Sequence, residues 1–260
     1  MKIEFYKYHG TGNDFIIIDN RMLKLKLSTP RIAHLCHRRL GIGADGLMFL
    51  QNKKGYDFEM IYFNSDGNES SLCGNGSRCI TAFAKSIGVI KKEKAKFLAT
   101  DGEHEAIIKK NVVSLHTNDV ATIEVHPDYY YLNTGSPHYV KFTNGVKSAN
   151  IISEGRGIRY SNRFKKKGVN VNFAEKNGKG IFVRTYERGV EGETLSCGTG
   201  VTASALASSI HGISTAENYC KISTLGGELL VHFHRGKGTS FTDIWLEGTA
   251  TFVYKGEINL

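Results

Sequence analysis

Alternating and apolar stretches divide the chain into many short strands and a few helices. Residues 2–8 alternate and predict a strand. Residues 15–19 hold the run Phe15-Ile16-Ile17-Ile18 and predict a second, after the turn His9-Gly10-Thr11-Gly12-Asn13. Ser28-Thr29-Pro30 supplies a cap candidate and a first-turn proline for a helix ending near Gly41. Residues 47–50 and 56–63 predict strands, and 76–87 a helix stopped by Gly88. Short β-rich runs follow at 96–99, 105–109 and 112–116. Beyond Asn118 strands are predicted at 121–125, 129–133, 169–173 and 181–186. A second hydrophobic helix covers 200–210 and stops near Gly212. Strands at 219–224, 228–234, 243–247 and 251–254 complete the reading. Ile80, Ala82, Phe83 and Ala84 in one helix, and Val201, Ala203, Ala205, Leu206 and Ala207 in the other, are apolar on more than one face, which predicts buried helices. Strands outnumber helices and do not alternate regularly with them, which disfavours a doubly wound parallel sheet.

The pattern repeats once. Shifted by 124 positions, Phe58 meets Phe182, Tyr62 meets Tyr186, Glu69 meets Glu193, Cys73 meets Cys197, Gly76 meets Gly200 and Gly88 meets Gly212, without a gap. Thr11-Gly12 falls on Thr134-Gly135 one position off this register. Two copies with so long a period describe a duplicated unit rather than a stacked solenoid. The expected class is α+β, with a curved, mostly mixed or antiparallel sheet wrapped around each Cys-led helix, and the second copy begins near Asn118.

Composition narrows the classes. The chain has 260 residues, 40% of them hydrophobic, and a formal charge of +9. That is ample for a large core. The clusters Lys91-Lys92-Glu93-Lys94 and Lys165-Lys166-Lys167 lack interleaved aromatics, so they read as solvated loops and no nucleic-acid partner is expected. The five cysteines are an odd number in a long chain, which argues against a disulfide scaffold. No stretch approaches the roughly 18 apolar residues needed to span a membrane, and the first residues carry no signal-peptide core. A reducing cytoplasm is the expected location, without a membrane partner.

The candidate chemistry centres on Cys73 and Cys197. Each precedes Gly, a small polar residue and Gly, then a helical run: Cys73-Gly74-Asn75-Gly76 and Cys197-Gly198-Thr199-Gly200. A thiol at a helix start meets unpaired backbone N–H groups and the positive end of the macrodipole, which favours thiolate. Two such thiols predict two proton-transfer groups. The glycines clear space beside sulfur and let a carboxylate approach the backbone. Further candidates are Asn13, Asn64, His138 and Asn170 on turns and strand ends, Arg188 as a carboxylate grip and Glu187 as a partner for an ammonium. For Asn13 and Asn64 the competing role is turn formation; for Glu187 and Arg188 it is a surface ion pair. Gly41-Ile42-Gly43-Ala44-Asp45-Gly46 matches a dinucleotide fingerprint but follows a helix and precedes a strand, so it reads as a structural turn. His34, Cys36 and His37 lack a second ligand cluster, and no metal is expected. Cys36, Cys79 and Cys220 are assigned to the core.

These residues lie in collinear stretches that resemble the diaminopimelate epimerase family, cofactor-independent amino-acid epimerases of lysine and cell-wall precursor biosynthesis. The stretches run from His9 to Phe15, Gly41 to Gly46, Asn64 to Gly67, Cys73 to Cys79, Gly135 to His138, Gly168 to Val171, Tyr186 to Gly189, Gly192 to Thr194 and Cys197 to Gly200. The resemblance implies two pseudo-symmetric lobes, each a β-barrel-like curved sheet around a central helix: 1–117 plus 250–260, to which the last strand returns, carrying Cys73, and 118–249, carrying Cys197. It implies an active site between the lobes and Cys73 with Cys197 as the acid/base pair. It further implies substrate contacts from Asn13, Asn64, Gly74, Asn75, Asn170, Glu187, Arg188, Gly198 and Thr199. His138 would support the reacting centre, together with Glu187. The substrate would be a small diamino-dicarboxylate, with no cofactor, and the assembly a homodimer. The chain departs from the pattern at Gly46, where some members carry Gln, and at Ser136, where many carry Asn. Asn75 separates it from the related proline racemases, whose first motif typically reads Cys-Gly-His.

The reaction so implied interconverts LL- and meso-2,6-diaminopimelate. One sulfur, as thiolate, takes the α-proton while the other, as thiol, donates to the opposite face. Three alternatives remain at this point: a racemase of another amino acid on the same scaffold, a thiol redox protein, and a non-catalytic binding module.

Overall fold

A computed structural model describes residues 1–70, 73–213 and 216–259. Leu260, the last residue of the expected first lobe, lies outside the described residues, as do Ser71 and Leu72. The chain divides into two compact units, Met1–Leu115 with Gly248–Leu260, and His116–Glu247.

In the first unit, strand Lys2–Gly10 turns through Thr11-Gly12 into the antiparallel strand Asn13–Asp19. Helix α1, Thr29–Cys36, then crosses over to strand Gly46–Gln51, which runs parallel to Asn13–Asp19 with Phe15 opposite Gly46. Strand Phe58–Asn64 pairs antiparallel to Gly46–Gln51 and parallel to Lys94–Ala99. Gly102–Lys109 follows antiparallel to Lys94–Ala99. The final strand, Thr251–Asn259, pairs with Lys2–Gly10 from Lys2↔Asn259 onward.

The run Phe15-Ile16-Ile17-Ile18 does not alternate because both of its faces are covered. Phe15 and Ile17 join the core around helix α2, Gly74–Ser86, with Met48, Phe58, Phe83 and Phe97. Ile16 and Ile18 join a second core against Ile32 and Leu35 of α1. Helix α2 is enclosed, with Asn75 through Thr81, Phe83 and Ala84 all buried.

The second unit repeats the plan. Strands Tyr130–Asn133 and Pro137–Phe142 form an antiparallel hairpin. Helix α3, Ile151–Arg159, crosses over to strand Asn170–Asn177, which runs parallel to Pro137–Phe142 with His138 opposite Asn170. Gly180–Glu187 pairs antiparallel to Asn170–Asn177 and parallel to Tyr219–Thr224. Helix α4, Gly198–His211, is buried at Gly198 and from Gly200 through Ser208. It is packed by Val140, Ala174, Val183, Val231 and Phe241. Val171, Phe173 and Tyr186 pack with Ile151 of α3 in a separate core. The architecture is therefore α+β, as expected.

Several sequence expectations need correction. Helix α1 ends at Cys36, not near Gly41, because His37 turns extended and the N–H groups of Ile42 and Gly43 fold back onto the Leu35 carbonyl. Helices α2 and α4 begin at Gly74 and Gly198, two residues earlier than predicted. The predicted strand 121–125 reduces to Glu124–Val125, and the last strand extends to Asn259. Strand Pro137–Phe142 and helix α3 were not predicted at all. Proline opens the strand, and Gly155 and Gly157 disguise the helix, which Asn150 caps by accepting from the Ser153 N–H at 3.1 Å.

Gly155 allows α3 to lie against the sheet, since a Cβ there would come within 2.4 Å of the Tyr186 Cβ, whereas one at Gly157 would meet nothing within 4 Å. Gly155→Ala is expected to destabilise the protein by about 1–3 kcal/mol through overpacking. Gly157→Ala is expected to stabilise it by up to about 1 kcal/mol through helix propensity. Denaturant unfolding of the two variants checks both signs.

Candidate active site

Cys73 and Cys197 are the N-cap residues of α2 and α4, in the same backbone conformation. Their φ and ψ are −107° and 115°, and −111° and 112°, respectively. Neither side chain caps its helix, so the capping residue does not consume the first-turn N–H donors that favour anions. Cys73 is half-buried and Cys197 is buried. The second glycine of each motif has a packing role. A Cβ at Gly76 would sit 3.2 Å from the Met48 sulfur, and one at Gly200 would sit 2.3 Å from the Asn172 Oδ1. At Gly200 a side chain would force Asn172 to move, and at Gly76 it would crowd the Met48 sulfur, so glycine lets each helix start lie close to its own sheet.

Around Cys73 the structure gathers Asn13, Asn75 and a charged group behind them. Cys73 Sγ lies 3.6 Å from Asn13 Oδ1, which also accepts from Asn75 Nδ2 at 3.3 Å. Asn13 Nδ2 donates to Asp45 at 2.7 Å. Arg38 bridges Asp45 and Asp14, and Lys7 pairs with Asp14 at 2.7 Å. Burial raises the Asp14 carboxyl, but hydrogen bonds from Arg38 and Lys7 outweigh it and hold it down at about 2. Arg78 of α2 is fully buried and donates to Asn75 Oδ1 at 2.9 Å and Thr11 Oγ1 at 3.3 Å. Burial presses its guanidinium below its ordinary value, with Cys79 and Cys73 acting the other way. Thr11 holds a positive φ of 50°, a strained conformation for a residue with a side chain. Asn64 ends its strand opposite Gly46 and accepts at its carbonyl from the Gly67 N–H. Among the described residues no side-chain hydrogen bond joins it to the Cys73 group.

Around Cys197 the neighbours are Thr199, His138 and Asn172. Cys197 Sγ lies 3.5 Å from Thr199 Oγ1, which lies 2.9 Å from His138 Nε2. His138 is fully buried, and burial, with the Arg188 charge, pushes its imidazole down to about 3. It is therefore neutral near pH 7. Asn170 donates to Ser136 Oγ at 2.9 Å and accepts from the Arg188 N–H at 2.8 Å. Glu187 accepts from Thr194 Oγ1 at 2.9 Å. The Arg188 guanidinium donates to the Lys167 carbonyl at 2.9 Å.

The two departures from the family pattern have local causes. A side chain at Gly46 would meet the Tyr62 ring at 2.6 Å, so that ring fills the space. Ser136 is held by Asn170. Residues that sequence reasoning missed are Thr11, Asp45, Arg78, Asn172 and Thr194. One signal was available for Asn172: at the 124-residue shift it stands on apolar Met48. Cys36, Cys79 and Cys220 are buried as expected, and burial raises the thiols of Cys36 and Cys79. The glycine-rich turn at 41–46 feeds strand Gly46–Gln51 as a structural turn, with Gly43 at φ +81°.

The family model described as diaminopimelate epimerase matches residues 5–122 and 130–253. The chain belongs to the diaminopimelate epimerase family. It is 48% identical to a diaminopimelate epimerase of Flavobacterium psychrophilum over 98% of this chain and 100% of the relative. It is 37% identical to the diaminopimelate epimerase of Methanocella arvoryzae over 100% and 98%. As a member of this family the chain is an isomerase. Two solved structures share the fold. One is a Bacillus anthracis phenazine biosynthesis protein of the PhzF family, with TM-score 0.74, 13% identity and all of both chains covered. The other is a hydroxyproline epimerase from Agrobacterium vitis, with TM-score 0.71, 12% identity and coverage of 100% of this chain and 93% of that one.

The neutral, buried His138 gives this epimerase a pH-dependent stability with a definite sign. The unfolded imidazole titrates near 6.5 and the folded one near 3. Between these values the unfolded chain binds more protons, so stability is complete above about 6.5 and falls as pH drops toward 3. Between pH 6.5 and 4.5 the loss is expected to be about 2 kcal/mol. It should be absent in His138→Gln. Urea midpoints across that range, above the window in which Asp14 titrates, measure it.

Proposed function

We propose that Cys73 and Cys197 are the acid/base pair of a two-base 1,1-proton transfer at Cα that interconverts LL- and meso-2,6-diaminopimelate. The matched placement of both sulfurs at the N-caps of buried helices carries this reading. The thiolate of one cysteine removes the Cα proton, and its electron pair becomes the new S–H bond. The C–H pair is left on Cα and spreads into the adjoining carboxylate. The thiol of the other cysteine gives its proton to the opposite face and becomes the new thiolate. One base alone would tend to return the proton to the side it left, so inversion requires two, which titrate as a coupled unit. The step consumes no cofactor, because both protons and both electron pairs are accounted for by sulfur and carbon.

First-turn N–H groups, with Gly74, Asn75, Gly198 and Thr199, receive the carboxylate at the reacting end and stabilise its developing charge. Asn13, Asn64, Asn170, Glu187 and Arg188 bind the remaining polar groups, with Arg188 matched to a carboxylate and Glu187 to an ammonium. His138 supports the reacting centre through Thr199, and Glu187 supports it directly. The reaction requires both thiols to reach one carbon; we assign Cys73 to a lobe of residues 1–117 with 250–260 and Cys197 to a lobe of residues 118–249. The odd number of cysteines in a long chain supports a reducing cytoplasm as the working location.

Proton NMR of LL-diaminopimelate with the reduced protein in D₂O tests the reaction. Deuterium at Cα and growth of the meso isomer are expected. Cys73→Ser and Cys197→Ser should each lower epimerisation by about 10²–10⁴-fold. Exchange confined to another amino acid would transfer the scaffold to a different racemase. Disulfide exchange without α-proton exchange would make it a thiol redox protein, and binding without either would leave a binding module.

We also propose a homodimer. It is supported by three consecutive exposed apolar residues, Phe252, Val253 and Tyr254, on strand Thr251–Asn259. Sedimentation equilibrium at micromolar concentration should give twice the chain mass; a single-chain mass would reject the dimer.

A further inference from the structure

The repeat-related helix starts rest on different residues. At Gly76 a Cβ would meet Met48, and at Gly200 it would meet Asn172, the residue that replaces Met48 at the 124-residue shift. Asn172 is fully buried between Val171 and Phe173, which are fully buried as well. A polar group at a core position that is apolar in the sister unit must be satisfied, and it is. Asn172 Nδ2 donates to the Tyr139 carbonyl at 2.9 Å and lies 3.1 Å from His138 Nδ1, while its Oδ1 accepts from Thr185 Oγ1 at 2.9 Å.

These contacts fix the placement of the hydrogens. A carbonyl only accepts, so the amide atom on Tyr139 is the nitrogen. The same nitrogen then donates to His138 Nδ1, which must be the bare ring nitrogen of a neutral imidazole. The hydrogen sits on Nε2 and is given to Thr199 Oγ1 at 2.9 Å. With its lone pair so engaged, the Thr199 hydroxyl has its own hydrogen to offer Cys197 Sγ at 3.5 Å. The Cys73 half contrasts with this. Asn13 Nδ2 is taken by Asp45 at 2.7 Å, so the atom facing Cys73 is Oδ1, which has no hydrogen to give. The charged side chain on that side is the buried Arg78 guanidinium, which donates to the carbonyl of Gly74, the residue after Cys73, at 3.4 Å.

We propose that Asn172 is a positioning residue that holds His138 in the Nε2–H tautomer, so that Thr199 presents its hydroxyl hydrogen to the Cys197 thiolate, whereas the Cys73 thiolate is served by the charge of Arg78. The charged groups nearest this relay are Arg188, which acts on His138, and Glu187, the residue before it at the end of strand Gly180–Glu187. Arg38, Asp14 and Asp45 stand behind Asn13 on the Cys73 side. The inference rests on the two-base reading for its meaning in catalysis, but its test does not depend on turnover.

The test is the pH dependence of alkylation by iodoacetamide, read at the Cys73 and Cys197 peptides by mass spectrometry. Thr199→Val should move the Cys197 midpoint up by about one pH unit, lowering its alkylation rate near neutral pH about tenfold, while Thr199→Ser restores it. Asn172→Leu should move it in the same direction, and neither substitution should shift the Cys73 midpoint. Long-range ¹⁵N–¹H spectra of labelled histidine should show His138 protonated at Nε2 in the wild type and a mixture of tautomers in Asn172→Leu. An unchanged Cys197 midpoint in Thr199→Val, or a wild-type His138 protonated at Nδ1, overturns the relay. If Asn172→Leu does not fold, the Thr199 pair and the wild-type spectrum still decide. Wild-type protein that shows the relay but no α-proton exchange on diaminopimelate would refute the proposed reaction and leave the relay standing.

Discussion

A helix enclosed on nearly every side has only its ends to offer to other molecules. Helices α2 and α4 are in that position, and each spends its N-terminal end on a cysteine. Burial normally penalises a thiolate, because charge is costly away from water. The helix start offsets that penalty with oriented N–H groups and the macrodipole, which act within the first turn. In the proposed two-base reaction, a reactive sulfur therefore has to sit at the N-cap and nowhere further along. Cys79, one turn into the same helix, shows the other outcome: burial dominates and its thiol is raised.

The remaining architecture of each unit delivers side chains to that end. In the first unit a tight turn after Lys2–Gly10 places Asn13 at the start of the next strand, where its amide meets Cys73 and Asp45. In the second, a parallel crossover through α3 puts His138 and Asn170 side by side. The parallel register Phe15↔Gly46 does the same for the turn that holds Asp45. Glycine at the third position after each cysteine then sets how near the helix start can come to its sheet, against Met48 in one unit and Asn172 in the other.

Much of this was legible in the chain. The duplicated Cys-Gly-x-Gly motif, the buried character of both helices and the predominance of strands follow from local patterns. The helix starts were misplaced by two residues because Gly74 and Gly198 read as turn residues, whereas they are the first helical positions. Helix α3 was illegible by itself, since Gly155 and Gly157 mask its periodicity. The duplication held a signal for it that local patterns did not, because it occupies the crossover that α1 occupies in the first unit. Asn172 was hidden for a different reason. Its meaning lies in bonds to Tyr139, Thr185 and His138, which strand pairing brings together and sequence spacing does not.

Duplication alone would give two equal thiols, and equal thiols would divide one proton evenly. The backbone does supply equal fields, since the N-cap dihedral angles agree within a few degrees. The side chains do not. Asp14 in the first unit stands where His138 stands in the second, Met48 where Asn172 stands, and Asn75 where Thr199 stands. The first set builds an ionic group around Arg38, Lys7 and Arg78; the second builds a neutral chain of donors around a histidine kept uncharged by burial. Ionic stabilisation weakens with distance and screening, whereas a hydroxyl hydrogen acts only in contact. On the relay proposed above, two thiols in equal backbone fields are chemically unequal, and an enzyme whose two substrates are diastereomers rather than mirror images has no need for them to be the same.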